Sequence, residues 1–380
     1  MIATGLTLRL FVCLVCCAAA PPGPQVHDVF VSGRDGYHTY RIPALLVAPD
    51  GALLAFCEGR KGGRSDAGDI DLLLKRSLDG GRTWTPQQTV WDDGENTCGN
   101  PCPVLDRTTG TIWLPLTWNH GQDTETQIMQ NTSRDTRRVF ITSSADNGLT
   151  WTKPREITSQ VKRPAWRWYA TGPGVGIQLA RGPWKGRLLV PCDHSYVDAN
   201  DPHGYGSHVI YSDDHGQTWK LGGVIRPAVN ECQVAELVDG TLLINMRNYD
   251  RSQTTRALAT SVDGGLTWSC PRHDPTLVEP VCQASLLRYT MEPPSLAFSN
   301  PAHAESGNRR DMTVRISRDE GRTWAVSRVL WPAPAAYSCL AVASDGGLAC
   351  LFEAGEKNPY ERIVLARVDR QWLDEKQQTR

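Results

Sequence analysis

The amino-acid sequence predicts an all-β protein with a β-propeller architecture, and three observations lead to this prediction. The pattern Ser-x-Asp-x-Gly-x-Thr-Trp recurs along the chain. Its copies begin roughly 50 to 70 residues apart, which suits four-stranded propeller blades with loops of variable length. Short strand-like runs are frequent, whereas no segment has the long period of an amphipathic helix. The pattern occupies residues 77–84, 144–151, 212–219, 261–268 and 317–324.

Each copy of the pattern predicts a tight turn between two strands. Its aspartate can accept backbone N–H groups, its glycine can adopt a positive φ, and its tryptophan can pack against the hairpin. The pattern therefore indicates a fold, and by itself it indicates no chemistry. Strands are predicted before three of the copies, at residues 71–77, 138–143 and 312–317, and also at residues 51–56, 187–190 and 240–245.

The bulk composition limits the classes of partner. The chain has 380 residues, of which 40% are hydrophobic and 21% charged, with a formal net charge of −1; this is typical of a globular protein. A chain of this length can form one propeller domain around a single axis. Because the charges balance, there is no global field to hold nucleic acid or an anionic membrane. We expect no nucleic-acid partner, and an anionic substrate would need a local cluster of arginines.

The N-terminal residues differ from the rest of the chain. Arg9 precedes an apolar run at residues 10–20, which ends in three alanines before two prolines, as in a secretory signal. The run is too short to span a bilayer. We expect residues 1–20 to be a signal peptide and residues 21–380 to form a single domain that is secreted or periplasmic. A lysosomal or cell-surface location is the alternative in a eukaryote, and an apolar N-terminal extension is the alternative to a signal.

The cysteines give no indication of a metal site. Three of the 12 cysteines lie in the N-terminal apolar run, and the others are odd in number, so they cannot all pair within one chain. Many of them lie in apolar, strand-like contexts, where free cysteine packs as a small hydrophobic residue. Cys98 and Cys102 are spaced for a local disulfide, but as half of a zinc site they lack a second half. We expect no metal and no cofactor.

The repeats resemble the Asp boxes of exo-α-sialidases. In addition, residues 40–43, Tyr-Arg-Ile-Pro, are similar to the Phe/Tyr-Arg-Ile-Pro motif of the bacterial and animal, non-viral members of that family. The resemblance implies a six-bladed β-propeller, with five blades that carry an Asp box and a sixth that includes residues 347–352 and 361–367. A strand near residues 26–31 would help to close the ring. Asp boxes also occur in propellers that only bind partners, so a reaction must be argued from other residues.

The resemblance implies one part of a substrate site in the first blades. Arg41 corresponds to the first of three arginines that hold the sugar carboxylate, with a buried ion-pair partner as the alternative. Arg60 corresponds to a further substrate-binding arginine, and Asp66 corresponds to the catalytic acid/base. Asp69 and Asp71 are rival aspartates, but they lie closer to the next strand, where a hairpin role suits them better.

The other part of the implied site comes from later blades. Glu231 corresponds to the glutamate beside the nucleophile, and Arg247 corresponds to the second carboxylate-binding arginine. Arg309 corresponds to the third, with Arg310 as the competing choice. Tyr337, in an Ala-Tyr-Ser-Cys-Leu segment, corresponds to the nucleophile.

Two more residues complete the implied site. Glu353 corresponds to the carboxylate that orients Arg41. Asn100 lies where several sialidases have an aspartate near the 4-hydroxyl or N-acyl group of the sugar. The preference among sialic acid derivatives is therefore left open.

The implied reaction accounts for these residue types. A sialic acid has a carboxylate on its anomeric carbon, and guanidinium groups bind carboxylates in a fixed orientation. This carboxylate would repel an anionic nucleophile, whereas a neutral tyrosine activated by a neighbouring base avoids the repulsion. The resemblance implies an exo-α-sialidase that releases terminal α-linked sialic acid from oligosaccharides, glycoproteins or glycolipids, with retention, through a tyrosyl–sugar intermediate.

Two alternative functions are compatible with the same propeller fold. A trans-sialidase would transfer the sugar to an acceptor over an aromatic platform, and Trp118, Trp166 and Trp168 are tryptophans outside the boxes. A non-catalytic propeller would bind sialosides or peptides, and it would have no need for a tyrosine–glutamate couple.

Overall fold

Strands make up most of the regular structure in residues 23–199, 201 and 204–374, which are the residues that the computed structural model describes. In these residues, 25 strands form six consecutive antiparallel units around one axis, and we call these units blades 1 to 6. The first strand, β1 (Gln25–Val31), belongs to the last blade.

The blades follow one another along the chain. Blade 1 contains β2 (Thr39–Val47), β3 (Leu53–Arg60), β4 (Ile70–Ser77) and β5 (Gln88–Trp91). The short β6 (Thr97–Gly99) pairs with β4 and β8 and joins blades 1 and 2. Blade 2 contains β7 (Val104–Leu105), β8 (Ile112–Asn119), β9 (Arg138–Ser144) and β10 (Arg155–Glu156). Blade 3 contains β11 (Tyr169–Thr171), β12 (Ile177–Gln178), β13 (Leu188–Ser195), β14 (Tyr205–Ser212) and β15 (Lys220–Ile225).

The second half of the ring is more regular. Blade 4 contains β16 (Val229–Glu236), β17 (Leu242–Asn248), β18 (Thr255–Ser261) and β19 (Arg272–Val278). Blade 5 contains β20 (Ser285–Met291), β21 (Pro294–Pro301), β22 (Arg310–Ser317) and the first half of the long β23 (Val326–Val342). Blade 6 contains the second half of β23, β24 (Leu348–Ala354), β25 (Arg362–Val368) and β1.

Blade 6 closes the ring with strands from both ends of the described chain. Its outermost strand, β1, pairs with β25, from Gln25 opposite Arg367 to Val31 opposite Arg362. The first strands of neighbouring blades contact one another, as β2 does with β23 and β16 with β20, so they line the axis. The predicted six-bladed propeller is confirmed, and so is its closing strand.

The hydrophobic core lies between neighbouring blades. Leu45 and Leu53 of blade 1, for example, share one buried cluster with Leu351 and Leu365 of blade 6. The second and third strands bury both faces, because each sheet is covered by a blade on either side. This is why β3 and β24 are buried along their whole length and read as continuous apolar runs.

Each sequence repeat forms the turn between the last two strands of its blade, in blades 1 to 5. In the first copy, Asp79 accepts hydrogen bonds from the Ser77 hydroxyl at 2.8 Å, the Thr83 backbone N–H at 2.9 Å and the Thr83 hydroxyl at 2.6 Å. In the second copy, hydrogen bonds from Thr150 lower the pKa of Asp146 to about 2. These aspartates stabilise the turns, as the sequence predicted, and they lie away from the predicted site residues.

The box glycine also packs against the preceding blade. Gly216 has φ +86°, and a Cβ placed there would lie 2.1 Å from Cε2 of Trp113 in blade 2. The other four box glycines face a leucine of the blade before them in the same way, which in blade 1 is Leu365 of blade 6. The glycine is therefore required by both the backbone conformation and the contact between blades.

We predict that Gly216→Ala lowers the free energy of unfolding by about 2 to 4 kcal/mol, because a Cβ adds both positive-φ strain and a clash with a buried ring. Gly182→Ala is the matched control, since Gly182 has φ +62° and nothing within 4 Å of a Cβ. It should cost only about 1 kcal/mol of strain. Urea unfolding followed by fluorescence measures both, and equal losses in the two variants would show that the contact between blades contributes nothing.

The remaining elements are short. They are α1 (Glu125–Met129), α2 (Thr158–Val161), α3 (Arg370–Asp374) and a 3-10 turn at Gly182–Trp184. Within the described ranges, no helix is long and apolar enough to cross a membrane. The nine cysteines in these ranges are all free, including Cys98 and Cys102, which are both buried. The predicted signal peptide at residues 1–20 lies outside the described residues, so it and the domain boundary that follows it stay predictions.

Candidate active site

Predicted site residues from distant parts of the chain meet at one end of the propeller axis. Arg41, Glu231 and Tyr337 lie in β2, β16 and the second half of β23, the first strands of blades 1, 4 and 6. Arg247 lies in β17, beside Glu231. Propeller strands that alternate in direction place the entry ends of all first strands at the same end of the axis. Residues far apart in sequence therefore converge there.

The Tyr337 hydroxyl is at the centre of the site. It donates a hydrogen bond to Oε1 of Glu231. Nη1 of Arg247 lies 2.7 Å from the other Glu231 oxygen and 3.2 Å from the Tyr337 hydroxyl. Burial raises the pKa of the phenol well above its usual value, and the negative charge of Glu231 raises it further, against the opposing charges of three arginines. The resting site therefore holds a neutral phenol against a base that can accept its proton.

Three arginines surround this phenol. The guanidinium carbons of Arg41 and Arg309 lie 5.2 Å and 5.6 Å from the centre of the Tyr337 ring, and Arg247 contacts its hydroxyl. Arg309 donates to the Tyr360 hydroxyl and the Val281 carbonyl, both at 3.1 Å, and it makes no ion pair with a carboxylate among the described residues. Its charge is therefore available for an anion.

The structure distinguishes Arg309 from its neighbour. Arg310 pairs with Asp311 at 3.3 Å, and its side chain is about half exposed, with 47% of its surface accessible. Of the two candidates, only Arg309 contacts the ring of Tyr337.

Glu353 holds Arg41 and the nucleophile strand together. One carboxylate oxygen lies 2.7 Å from Nε of Arg41 and accepts the backbone N–H of Ile42 at 2.9 Å. The other oxygen accepts the backbone N–H of Tyr337 at 3.1 Å. The bond to Ile42 helps to hold this residue at φ +59°, an unusual conformation for a β-branched residue. Glu353 is fully buried, so it positions two site residues at once.

Asp66 lies at the edge of the site, on the loop between β3 and β4. Its Oδ1 is 2.7 Å from Nη2 of Arg60, and the side chain is half exposed. Arg60 is buried and also pairs with Glu58 at 2.6 Å. Partial burial raises the pKa of the Asp66 carboxyl, but the charges of Arg60 and Arg41 outweigh it and hold that pKa below its usual value. Asp66 is therefore ionised at neutral pH.

The rival aspartates have other partners. Lys61 lies 2.8 Å from Asp69 and 3.1 Å from Asp71, and Asp71 also accepts a hydrogen bond from the Tyr37 hydroxyl at 2.5 Å. Both therefore stabilise the hairpin around β4, which is the role that the sequence favoured for them.

Asn100 is linked to this acid-bearing side of the site. Its backbone N–H donates to Glu58 at 2.9 Å, and its side-chain oxygen accepts from the Thr117 hydroxyl at 2.9 Å and from Arg137. Because Arg137 can only donate, the side-chain oxygen of Asn100 must face it. Arg137 is buried and lies 3.8 Å above the ring of Trp168.

The sequence analysis missed several residues around this pocket. Glu58 could have been found, since it lies two residues before Arg60 on the same face of a strand. Arg137, Glu125 and the ring pair Tyr205–Tyr249 gave no local signal. Burial raises the pKa of Glu125, and the charge of Asp66 raises it further.

These missed residues form one wall of the pocket. The Tyr205 hydroxyl donates to Glu125 at 3.0 Å. The rings of Tyr205 and Tyr249 stack at 4.8 Å, and Arg247 lies 4.9 Å from the Tyr249 ring. Of the tryptophans considered as an acceptor platform, Trp166 is buried against His194, with ring centres 3.5 Å apart, and Trp118 bonds to Asp93. Neither reaches Tyr337.

Comparisons with known proteins bear on the family and the fold of this chain. A family model described as a BNR repeat-like domain matches residues 51–350. A sialidase from Micromonospora viridifaciens is 36% identical over 368 residues, covering 92% of this chain and 56% of that protein. Sialidase-3 from Mus musculus is 34% identical over 409 residues, covering 90% of this chain and 94% of that protein. The chain thus spans little more than half of the bacterial relative and nearly all of the mouse protein.

Solved structures show the same architecture. The Hadza microbial sialidase Hz136 aligns with a TM-score of 0.81 and 31% identity, over 92% of this chain and 69% of that chain. Trypanosoma rangeli sialidase aligns with a TM-score of 0.74 and 20% identity, over 92% of this chain and 60% of that chain. The second likeness, at lower identity, supports the fold alone.

We predict that Glu353→Gln lowers the free energy of unfolding by about 3 kcal/mol or more, because it leaves the buried Arg41 without a counter-charge. Glu156→Gln is the control, since Glu156 pairs with Arg138 at 3.2 Å on the surface and should matter by less than about 1 kcal/mol. Chemical denaturation of both variants measures the difference. A Glu353→Gln protein as stable as the control would mean that this pair does not hold the site.

Proposed function

Because the chain belongs to the exo-α-sialidase family, we propose that it hydrolyses terminal α-linked sialic acids of oligosaccharides, glycoproteins or glycolipids, with retention of configuration. One observation carries this proposal. The buried phenol of Tyr337 donates a hydrogen bond to the carboxylate of Glu231, and the guanidinium groups of Arg41, Arg247 and Arg309 surround this phenol. A propeller that only binds partners does not need a phenol that is hydrogen-bonded to a base.

The arginines would bind the substrate carboxylate. Each charge-assisted hydrogen bond of this kind contributes about 1.5 to 3 kcal/mol, and the planar guanidinium fixes the orientation of the sugar. Arg309 has no carboxylate partner among the described residues, so it can bind the anion without breaking an ion pair. Arg41 and Arg247 remain held by Glu353 and Glu231. With the carboxylate fixed, the anomeric carbon would lie over the Tyr337 hydroxyl.

In the first step, the Tyr337 oxygen attacks the anomeric carbon while Glu231 takes the phenolic proton. Asp66, in its protonated form, donates its proton to the glycosidic oxygen as the bond to the leaving group breaks. A neutral phenol suits this carbon better than a carboxylate, since the adjacent substrate carboxylate repels an anion. The product is a tyrosyl–sugar intermediate and a free alcohol.

In the second step, the Asp66 carboxylate removes a proton from water, which attacks the anomeric carbon. The bond to Tyr337 breaks, and Glu231 returns its proton to the phenolate. Each displacement inverts the anomeric carbon, so two displacements retain its configuration. Nuclear magnetic resonance should therefore detect the α-anomer as the first free sialic acid, and early β-anomer would refute the double displacement.

We predict that Asp66→Ala lowers kcat on sialyllactose by about 100-fold or more, but costs less on an aryl sialoside, because a phenolate leaves with little help from an acid. Tyr337→Phe should lower kcat on both substrates by about 1,000-fold or more, since it removes the nucleophile. Steady-state kinetics on the two substrates measures the contrast.

Asp69→Ala is the control for this experiment. It removes a nearby carboxylate that is held by Lys61 rather than by Arg60, so its rates should match those of the wild type. If Asp66→Ala lowered kcat equally on both substrates, Asp66 would not be the catalytic acid. Transfer of the sugar to added lactose, seen as a new sialoside, would favour the trans-sialidase alternative.

We also predict that the pH dependence differs between free and bound enzyme. Arg60 and Arg41 hold the pKa of Asp66 below its usual value in the free enzyme, so kcat/KM should already decrease as the pH rises through the acidic range. A bound substrate carboxylate offsets the arginine charges and raises that pKa. The decrease in kcat should therefore lie at higher pH than the decrease in kcat/KM. Coincident profiles would contradict this coupling, and Asp66→Ala should lose the decrease in kcat.

A further inference from the structure

A second cavity opens at the other end of the propeller axis. Its volume is about 700 Å³, within the range of small-molecule sites in proteins. In β2, the cavity residues Leu45–Val47 follow Arg41, and in β23 the cavity residues Leu340–Val342 follow Tyr337. Because a strand advances about 3.3 Å per residue, the cavity lies below the candidate active site. All six blades contribute to its wall.

A polar floor separates the cavity from the candidate active site. The Gln283 side chain donates to the carbonyls of Pro173 and Ser338, both at 3.0 Å, and accepts the backbone N–H of Ser338 at 2.9 Å. The Gln233 side chain packs against Gly174, where a Cβ would lie 2.6 Å from its nitrogen. These groups are buried, and they block the propeller axis between the cavity and the candidate active site. The two sites are therefore distinct.

The cavity wall is mostly aliphatic. Leu45, Leu286 and Leu340 are buried in it, and Leu287 and Val342 are half-buried at its surface. A wall of this kind gains free energy when an apolar ligand displaces water from it, by roughly 25 cal/mol for each Å² covered. No side chain of the described chain fills this space, so the wall suits an apolar ligand body.

The mouth of the cavity has an excess of positive charge. Arg107 and Arg181 are exposed in its lining, and neither side chain makes an ion pair among the described residues. Arg288 is already paired with Glu320, at 2.6 Å. Glu236 accepts the backbone N–H groups of two residues, Ala180 at 2.8 Å and Arg181 at 3.0 Å. Two guanidinium groups therefore remain for an external anion.

We propose that this cavity binds a free single-chain amphiphile with an anionic head, of the long-chain fatty carboxylate class. Its tail occupies the aliphatic channel between the six blades. Its carboxylate pairs with Arg107 and Arg181 at the mouth, where charge-assisted bonds to guanidinium are strong. The ligand would be held at the opposite end of the axis from the sugar.

The test is calorimetric titration of the full chain with dodecanoate below its micelle concentration. We expect saturable binding of one molecule per chain. Dodecanol has the same tail without the charge, and its affinity should be lower by about tenfold or more. Equal affinity for the two ligands would overturn the proposal, because it would show that the arginines do not bind the carboxylate.

Variants locate the binding. Val342→Trp fills the channel and should lower the affinity by about tenfold or more, and Leu287→Trp is a second channel-filling variant in case the first fails to fold. The double variant Arg107→Glu, Arg181→Glu should abolish the preference for dodecanoate over dodecanol. Arg272→Glu, at an exposed position on β19 away from the lining, is a charge-reversal control and should bind as the wild type does.

Circular dichroism and melting temperature verify that each variant is folded. Unchanged binding in folded channel-filling variants would overturn the proposal. So would binding to vesicles that contain phosphatidylglycerol without binding to monomeric dodecanoate, since that would indicate a membrane surface rather than a cavity. Sialoside hydrolysis does not enter this readout, so the result is independent of the reaction proposed above.

Discussion

The site and the closure of the ring depend on one buried carboxylate. Glu353 in blade 6 bonds to Arg41 and Ile42 of blade 1 and to the backbone of Tyr337. Blades 1 and 6 are the two that meet where the chain closes on itself. The ion pair that orients one substrate arginine therefore also fixes the blade that carries the phenol. A shift between these two blades would change the distance between Arg41 and Tyr337 directly.

The second constraint is the crowding of positive charge. Five arginines, namely Arg41, Arg60, Arg137, Arg247 and Arg309, lie around one pocket and repel one another, and burial makes the repulsion stronger. Three of them are compensated: Arg41 by Glu353, Arg247 by Glu231, and Arg60 by Glu58 and Asp66. Arg309 and Arg137 are left with neutral hydrogen-bond partners. The pocket is thus prepared for an anion, and this preference comes from the arrangement of the carboxylates as much as from the arginines.

The sequence predicted the parts of this arrangement that have a local signature. Repeats with a turn motif predicted the blades, and short motifs brought Arg41, Glu231, Arg247 and Tyr337 forward as candidates that the structure places together. The long β23 (Val326–Val342), shared by blades 5 and 6, had no such signature, and the sequence predicted no strand there.

Other parts of the site could not be predicted from single positions. Arg137 and Glu125 lie in the connection between β8 and β9, with Glu125 at the start of α1. No periodicity links them to the pocket, and their roles arise only from contacts with residues distant in sequence. The choice between Arg309 and Arg310 needed side-chain directions as well as sequence. The same holds for Cys98 and Cys102, whose spacing allowed a disulfide although both are free and buried.

The contact of each box glycine with the blade before it gives the ring a cyclic dependence. Gly81 of blade 1 faces Leu365 of blade 6, so removing the last blade would uncover a turn in the first one. A circular permutant cut between any two blades would keep all these contacts, whereas a truncated fragment would lose at least one. Partial rings should consequently be poor folding units, and the propeller should unfold as a whole.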